Sequence, residues 1–284
     1  MIDLHLHTTF SDGMSEAEDL IREAIAFGLD AIAITDHDNT QSYSIARQQA
    51  EGSPLEVIPA IEINTVWEEY EQEVHILGYY IDLSEANLRD VIETHRSNRY
   101  QQIQALASRL KDKGLDITYE EILAQSRENG TLGRPHVARA LLNKGQVETI
   151  SDAFNQYLTR KSDVYIKRKT VSPHEAVEAI YECGGIPVIA HPGEMEHVEQ
   201  LVEELIDYGL RGLEAYHKSH RPAIIEYHCT LAERHGLIIT GGTDYHGPSD
   251  AYQKALGRLC IPNYVLPRLK QEWERRKKAS FKVS

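Results

Sequence analysis

The sequence predicts an α/β fold in which alternating strands and helices form one domain, interrupted by a helical insertion. Three observations support this prediction. Short apolar runs alternate with amphipathic stretches in residues 1–82 and 170–267, the residues between them show helical periodicity without a strand-like run, and histidines and carboxylates recur where apolar runs end. Continuous apolar runs are typical of strands buried on both faces of a parallel sheet, which favours a barrel or a doubly wound sheet.

The first part of the α/β domain, residues 1–82, contains four predicted strands, at residues 1–6, 30–35, 55–63 and 74–80. A helix begins at Ser15, with Glu18 three residues on to complete a capping box, and ends at Gly28. Its expected apolar face consists of Leu20, Ile21, Ala24, Ile25 and Phe27. A second helix is predicted at residues 41–51.

The insertion, residues 83–169, is predicted to be helical, with helices at 89–113, 119–126, 134–143 and 150–158. Strand–helix alternation then resumes in the second part of the domain, residues 170–284. Ser172 followed by Pro173 is typical of a helix start. Helices are expected at 173–183, 198–208 and 223–235, and strands at 186–190, 212–215 and 237–240.

The charge distribution limits the partners. The net charge of −14 opposes non-specific binding to long nucleic acid, so duplex DNA is not expected as a partner. The tail from 265 to 284 is basic, with a net charge of +5, and a second basic cluster spans 160–169. A solvated face is the simpler interpretation of both clusters. The sequence makes no prediction of the oligomeric state.

The cysteines and the apolar runs indicate the cellular location of the protein. Three cysteines, odd in number and far apart, form no disulfide framework. No run approaches the roughly 18 apolar residues of a membrane span, and the first ten residues lack the features of a signal peptide. We therefore expect a cytoplasmic protein with no membrane partner.

Nine imidazole and carboxylate side chains are candidate metal ligands. His5 and His7 lie two residues apart on a predicted strand, so their side chains share a face. All nine except His75 lie at or near the carboxyl end of a predicted strand, where catalytic groups of a barrel converge. This ligand chemistry suits Mn²⁺, Fe²⁺ or Zn²⁺, and nine ligands suggest two or three ions sharing a bridging carboxylate. The candidates are His5, His7, Asp12, His37, Glu62, His75, His191, Asp244 and His246.

Six motifs resemble those of a known family. They are HLHTTFSDG, ITDHDNT, PAIEINT, EVHILGYYID, VIAHPG and GGTDYHG, in this order along the chain. Together they resemble the PHP (polymerase and histidinol phosphatase) phosphoesterases. The insertion contains GRPHVARALL, which is similar to the branch that includes 3′,5′-nucleoside bisphosphate phosphatases and a 5′-to-3′ exoribonuclease that trims short RNA ends.

The resemblance implies a distorted (β/α)₇ barrel, with the insertion as a substrate cap, and a trinuclear metal centre. It places His5, His7, Glu62 and Asp244 on one ion. It assigns Glu62, His75 and His191 to a second ion, and Asp12, His37 and His246 to a third. Some relatives have a histidine at the position of Asp12, so the resemblance does not decide the identity or the occupancy of the third ion. Glu62 and Asp244 are thereby implied to be catalytic.

The expected activity is metal-dependent hydrolysis of a phosphate ester in a small nucleotide, such as a 3′,5′-nucleoside bisphosphate, or at a short RNA 5′ end. The expected mechanism is in-line attack by a metal-activated hydroxide without a covalent intermediate. Histidinol-phosphate phosphatase is an alternative, against which the GRPH-bearing insertion argues. A non-catalytic metal-binding module is a second alternative, less consistent with nine competent ligands.

Five further residues are candidates for substrate binding or catalysis. Arg134 and His136 resemble the phosphate-binding pair of the family branch, although Arg134 could instead form an interdomain salt bridge. His217 and His220 follow a predicted strand and could bind phosphate, protonate the leaving oxygen or form an ordinary polar rim. Lys167 and its neighbours could form a basic lip for a second phosphate.

Overall fold

The computed structural model describes residues 1–248 and 256–280. Strands in these residues are β1 (Ile2–Leu6), β2 (Ala31–Ile34), β3 (Glu56–Ile58), β4 (Ala60–Trp67), β5 (Gln72–Tyr79), β6 (Ile186–Ile189), β7 (Gly212–His217) and β8 (Ile238–Gly242). Helices are α1 (Ala17–Ala26), α2 (Ser42–Gln49), α3 (Ala86–Asp112), α4 (Tyr119–Leu123), α5 (Arg134–Asn143), α6 (Ile150–Ala153), α7 (Pro173–Glu182), α8 (Val198–Ile206), α9 (Pro222–Arg234) and α10 (Val265–Ser280). Short 3-10 turns at Glu68–Tyr70 and Pro192–Glu194 and a π turn at Phe154–Leu158 complete these elements.

The strands form two sheets that meet at both edges. Strands β1, β2 and β3 form a parallel sheet, and β4 to β8 form a five-stranded sheet in chain order. An isolated parallel bridge between Leu6 and Tyr245 joins β1 to the chain after β8, and a second between His37 and Glu62 joins the chain after β2 to β4. Both bridges lie at the carboxyl ends of β1 and β2. The predicted α/β fold class is confirmed, and the two sheets together form a distorted barrel wall.

Not all neighbouring strands pair in parallel. Strand β5 pairs antiparallel with both β4 and β6. No helix separates β4 from β5, and a 3-10 turn followed by Glu71 with a φ of +48° reverses the chain between them. A two-strand hairpin requires antiparallel pairing, whereas a parallel pair needs a long crossover. The predicted strand 55–63 is also divided, because β3 and β4 separate at Pro59 and pair with different strands.

Two predicted helix features differ from the structure. Ser15 does not cap α1, which begins at Ala17. The Ser15 carbonyl instead accepts a hydrogen bond from the Thr9 amide at 3.0 Å, closing the preceding loop. Ile25 and Phe27 are exposed and do not belong to the buried face of α1. The predicted start of α7 is confirmed, since Ser172 and Glu175 form a capping box around it.

The basic tail is largely an amphipathic helix, α10, that the sequence analysis did not identify. Val265 and Leu269 are fully buried against the barrel, and Trp273 stacks on Tyr80 with ring centroids 4.3 Å apart. Four of its bases are exposed, Arg268, Arg275, Lys277 and Lys278, whereas Arg276 packs over the ring of Tyr181. Lys282 of the basic tail lies outside the described residues.

The helical segment has its own hydrophobic core, separate from those of the barrel. This core includes Ile103, Leu110, Ile122 and Leu141, all fully buried. The domain boundaries at 83 and 169 stay a prediction. No helix of the described residues is long and apolar enough to cross a membrane, and the expected cytoplasmic location stays a prediction.

Candidate metal centre

Glu62 lies at the middle of a buried cluster of histidines. It is fully buried on β4, at the barrel end where β1 and β2 finish. Its Oε2 atom is 3.2 Å from Nε2 of His5, 3.2 Å from Nε2 of His7 and 3.0 Å from Nδ1 of His37. One carboxylate oxygen therefore faces three imidazole nitrogens from two different strand ends.

The other carboxylate oxygen of Glu62 faces a second pair of histidines. Its Oε1 atom is 2.9 Å from Nδ1 of His75 and 3.2 Å from Nε2 of His191. The two ring nitrogens are themselves 3.2 Å apart. His75 reaches this position because β5 returns antiparallel beside β4, with His75 opposite Asn64 and so diagonal to Glu62. Glu62 thus divides the cluster in two.

Two aspartates complete the cluster on its remaining side. Asp244 Oδ1 is 3.2 Å from Nε2 of His7 and 3.5 Å from Nε2 of His5. Asp12 Oδ1 is 3.3 Å from Nε2 of His246. The rings of His7 and His246 stack with centroids 4.3 Å apart. All nine candidate ligands are therefore brought together.

The cluster fits divalent cations. Four buried polar atoms in or beside it make no hydrogen bond: Nε2 of His7, Oδ1 of Asp12, Nδ1 of His37 and Nε2 of His217. Buried polar atoms normally have partners, and leaving one unpaired costs about 1–3 kcal/mol. This pattern is explained if the atoms are metal ligands, because they converge on one region and can bind a cation but do not hydrogen-bond to one another. The groups whose ligand atoms lie within 4.8 Å are His7–Asp12–His37–His246, His5–His7–Asp244 and His37–Glu62–His75.

The charges of the cluster are mutually dependent. Burial would raise the pKa of Glu62, but the imidazoles of His37, His5 and His75 hold it well below its usual value. Burial would lower the pKa of His7, but the adjacent carboxylates of Asp244 and Glu62 raise it to about 10. A histidine must lose its proton to ligate a metal, so cation binding here would displace protons.

Glu214 on β7 is a functional residue that the sequence analysis missed. It is fully buried, and its carboxylate accepts a hydrogen bond from Nδ1 of His5 at 3.0 Å and from the backbone amide of His191 at 2.7 Å. The first contact leaves Nε2 of His5 facing Glu62, and the second fixes the chain at His191. The sequence feature that could have identified Glu214 is that it is the single acidic residue within the apolar run GLEAYH.

Three further aspartates hold loops around the centre. Asp3 accepts hydrogen bonds from the amide and hydroxyl of Thr243, directly before Asp244. Asp36 accepts hydrogen bonds from Thr8 and from Ser11 Oγ, and so fixes the loop that carries Asp12. Asp38 instead binds the helical segment, through Arg99 at 2.6 Å and His95 at 3.0 Å.

The backbone of the centre is strained. His191 has a φ of +27° and Asp244 a φ of +48°, both in the left-handed region that non-glycine residues avoid. Such conformations cost about 1–3 kcal/mol each and persist only where the surroundings impose them. The contacts of Glu214 and Asp3 just described supply that constraint.

Arg134 and His136, at the start of α5, occupy different environments. Nη2 of Arg134 donates to Glu73 at 2.9 Å and Nη1 to the Leu158 carbonyl at 3.2 Å, and its side chain lines a small cavity beside the centre. The salt-bridge alternative for Arg134 is therefore present, next to the site. His136 is buried and its Nδ1 accepts from the Gly133 amide at 3.1 Å. Burial and the charge of Arg139 lower the pKa of His136 to about 4, so its ring is neutral at pH 7.

His217 and His220 also differ. Nε2 of His217 is 3.5 Å from Oδ2 of Asp244, which places this ring at the centre. Both nitrogens of His220 are used within the protein, since Nδ1 donates to the Ala215 carbonyl at 2.9 Å and Nε2 accepts from the Gly193 amide at 3.0 Å. These contacts give His220 a structural role, and its expected catalytic or substrate-binding role stays a prediction.

Lys167 points away from the centre. Its side chain is 55% exposed and its ammonium pairs with Glu68 at 2.6 Å, on the turn between β4 and β5. The next residue, Arg168, instead turns inward and lines the small cavity with His37 and His75. This placement gives no support to the expected phosphate-binding role of Lys167, which stays a prediction.

A barrel whose strand ends carry a buried cluster of histidines and carboxylates defines a metal-dependent hydrolase. The family model of the PHP domain matches residues 3–170, more than half of the chain. The chain belongs to the PHP domain family, as its motifs indicate.

Curated relatives align over most of the chain. A 5′-3′ exoribonuclease Rnm from Salmonella typhimurium is 33% identical, covering 96% of this chain and 93% of that protein. A 3′,5′-nucleoside bisphosphate phosphatase from Chromobacterium violaceum is 30% identical, covering 92% and 94%. A phosphoribosyl 1,2-cyclic phosphate 1,2-diphosphodiesterase from Eggerthella lenta is 29% identical, covering 86% and 94%.

Solved structures share the fold over nearly the whole chain. A crystal structure from Bifidobacterium adolescentis, provisionally assigned as a metal-dependent phosphoesterase, has a TM-score of 0.87 and 33% identity, covering 94% of both chains. A structure described as an amidohydrolase from Chromobacterium violaceum, with bound sulfate and no metal, has a TM-score of 0.87 and 28% identity, covering 97% and 96%. The predicted enzyme class, a metal-dependent hydrolase of phosphate esters, is confirmed.

Proposed function

We propose that this PHP-family phosphoesterase hydrolyses a phosphate ester of a small nucleotide, with a 3′,5′-nucleoside bisphosphate as the first candidate and a short RNA 5′ end as the second. The proposal rests on one observation above all. The two carboxylate oxygens of Glu62 face two different groups of imidazoles within 3.2 Å, which suits a carboxylate that bridges two cations.

The ligand sets expected from the family resemblance are compatible with these distances. We assign one ion to His5, His7, Glu62 and Asp244, and a second to Glu62, His75 and His191. We assign a third to Asp12, His37 and His246, whose ligand atoms, with that of His7, lie within 4.8 Å of one another. The ions are proposed to be Mn²⁺, Fe²⁺ or Zn²⁺, two or three in number.

Bound divalent cations would supply the charge that a phosphate ester needs, by neutralising phosphoryl oxygens and lowering the pKa of water. The chain orients the ligands around them through Glu214 and Asp3. His217 lines a cavity of about 370 Å³ together with His75, His191 and Asp244. A protonated imidazole at this wall would be suited to donate a proton to the leaving oxygen.

A larger cavity supports a substrate with an apolar part. It has a volume of about 850 Å³, within the range of pockets that bind small organic molecules. One wall is formed by Asp12, Asp244 and His246, and the opposite wall by apolar side chains of the helical segment. A nucleoside fits this combination, because its base can pack on the apolar wall while its phosphate reaches the ligands. The apolar wall includes Pro135, Leu142, Ile150 and Phe154.

Phosphate release from adenosine 3′,5′-bisphosphate by Mn²⁺-reconstituted protein tests the proposal. EDTA-treated protein serves as the control. Histidinol phosphate is compared by phosphate release, and a short 5′-phosphorylated RNA by release of phosphate or of a 5′-mononucleotide, under the same conditions. We expect release from the bisphosphate or the RNA that the EDTA-treated protein lacks. Release from histidinol phosphate alone, or none from the nucleotides by a folded, metal-loaded protein, would contradict it.

A further inference from the structure

We propose that Arg168 binds a second phosphate of the substrate, one that is not hydrolysed, in a small arginine-lined cavity beside the metal centre. This inference rests on the proposed nucleotide specificity and adds to it a residue and a site. The cavity has a volume of about 180 Å³, below the range of pockets that hold a whole small molecule. It is thus suited to one compact group.

Three arginines line this cavity, and two of them are already neutralised. Arg99 donates to Oδ2 of Asp38 at 2.6 Å, to Oδ1 of Asn64 at 2.6 Å and to a backbone carbonyl. Arg134 donates to both oxygens of Glu73, at 2.9 and 3.1 Å. Their guanidinium groups are occupied by these partners.

Among the described residues, Arg168 has only long contacts. Its side chain is only 13% exposed, yet its nearest carboxylate oxygen there, on Asp38, is 3.9 Å away and already bound by Arg99. Its one hydrogen bond within the described residues goes to the Asn64 carbonyl at the long distance of 3.5 Å. Burial and the charge of Arg99 lower the pKa of Arg168 to about 9, so it is still cationic at pH 7. A half-buried cation with unused donors is suited to an anionic ligand, and a guanidinium fork matches two phosphate oxygens.

The position of the cavity indicates which phosphate it takes. Asp244 borders both larger cavities, of about 850 and 370 Å³, where the ester bond is expected to lie. The Arg168 cavity meets the centre from another side, at Asp12, His37 and His75. It shares Asp12, Pro135 and Phe154 with the 850 Å³ cavity. A nucleotide in the larger cavity could therefore extend a second phosphate to Arg168 while the first stays at the centre.

Equilibrium binding tests this assignment independently of turnover. Adenosine 3′,5′-bisphosphate and adenosine, which carries no phosphate, are titrated calorimetrically into EDTA-treated wild type, Arg168→Gln and Arg168→Lys. We expect Arg168→Gln to lose about 10- to 100-fold in affinity for the bisphosphate, the effect of one charged hydrogen-bond partner, with little change for adenosine. Arg168→Lys should recover part of the loss. Lys167→Gln is the matched control, since it removes the adjacent charge and should bind like wild type.

The outcomes separate this inference from the proposed function. Equal bisphosphate binding by wild type and a folded Arg168→Gln variant would overturn the inference, as would equal losses for the bisphosphate and for adenosine or an equal loss in Lys167→Gln. Thermal unfolding of each variant detects a folding defect. If Arg168→Gln has one, the bisphosphate affinity of Arg168→Lys tests the inference instead. Hydrolysis of the bisphosphate by reconstituted wild type is measured separately, so selective binding without hydrolysis would refute only the proposed function.

Discussion

His37 and Glu62 belong to different sheets, yet their backbones form a parallel β-bridge and Nδ1 of His37 lies 3.0 Å from Oε2 of Glu62. The joint between the sheets is therefore also part of the candidate metal centre. Barrel geometry and ligand geometry depend on each other at this point.

Glu62→Gln should abolish turnover while the protein stays folded. The amide keeps the volume of the carboxylate but removes the charge shared by five histidines. The activity loss should exceed the roughly 10- to 100-fold effect of losing an outer hydrogen-bond partner of a metal ligand. Phosphate release, metal content and circular dichroism of the reconstituted variant are the measurements. Glu23→Gln, an exposed change on α1, is the control, and wild-type turnover by Glu62→Gln would refute a catalytic metal role.

Glu214→Gln should weaken metal binding. The amide can no longer stabilise the His5 imidazole as a charged acceptor at 3.0 Å. We expect a loss of about 10- to 100-fold in Mn²⁺ affinity, measured by competition with a chelating dye. Glu226→Gln, which changes an exposed acid on α9, should leave the affinity unchanged. Unaltered Mn²⁺ affinity in Glu214→Gln would show that Glu214 does not position His5.

His220→Ala should reduce stability more than substrate affinity. It removes the partners of the Gly193 amide and the Ala215 carbonyl, at a cost of about 1–3 kcal/mol. The melting temperature should fall by a few degrees, while KM at a temperature well below melting stays close to the wild-type value. A strongly raised KM with unchanged melting temperature would instead indicate that His220 contributes to substrate binding.

Acid should destabilise the fold in part through His228. The residue is 2% exposed, and burial followed by the charge of His220 lowers its pKa to about 4. The unfolded chain takes up this proton near pH 6.5 and the folded chain only near pH 4, so stability is lost as the pH falls between these values. The contribution is on the order of 3 kcal/mol.

The difference between wild type and His228→Gln isolates this contribution. Urea unfolding of both proteins at pH 7.5, 6 and 5 gives the free energy of unfolding at each pH. The variant should lose less stability than the wild type on acidification. Parallel pH dependence of the two proteins would exclude His228 as a source of the acid sensitivity.

The sequence predicted an element correctly where its local residue pattern is compatible with only one structure. Helix α5 has its predicted bounds because apolar spacing and Pro135 agree there. Helix α10 was missed because the bases around Leu269 and Trp273 concealed a buried face. The antiparallel position of β5 could not be derived from an apolar run, since such a run does not encode strand direction.

Eight of the nine candidate ligands were predictable because they lie at or near a strand end, but their supporting residues were not. Glu214 was hidden in an apolar run, and its role depends on where β7 lies relative to His5. In the irregular segment before α7, periodicity cannot distinguish Lys167 from Arg168. Only the fold shows which of two adjacent cations turns inward.

The bridge between Leu6 and Tyr245 has a consequence for biosynthesis. His7 leaves the ribosome long before His246, with which it stacks. At about 5 to 20 residues per second, roughly 12 to 48 s separate the synthesis of the two residues. Two of the three ligand groups include Asp244 or His246, so they stay incomplete until these late residues have been synthesised, whereas His37, Glu62 and His75 are all present much earlier.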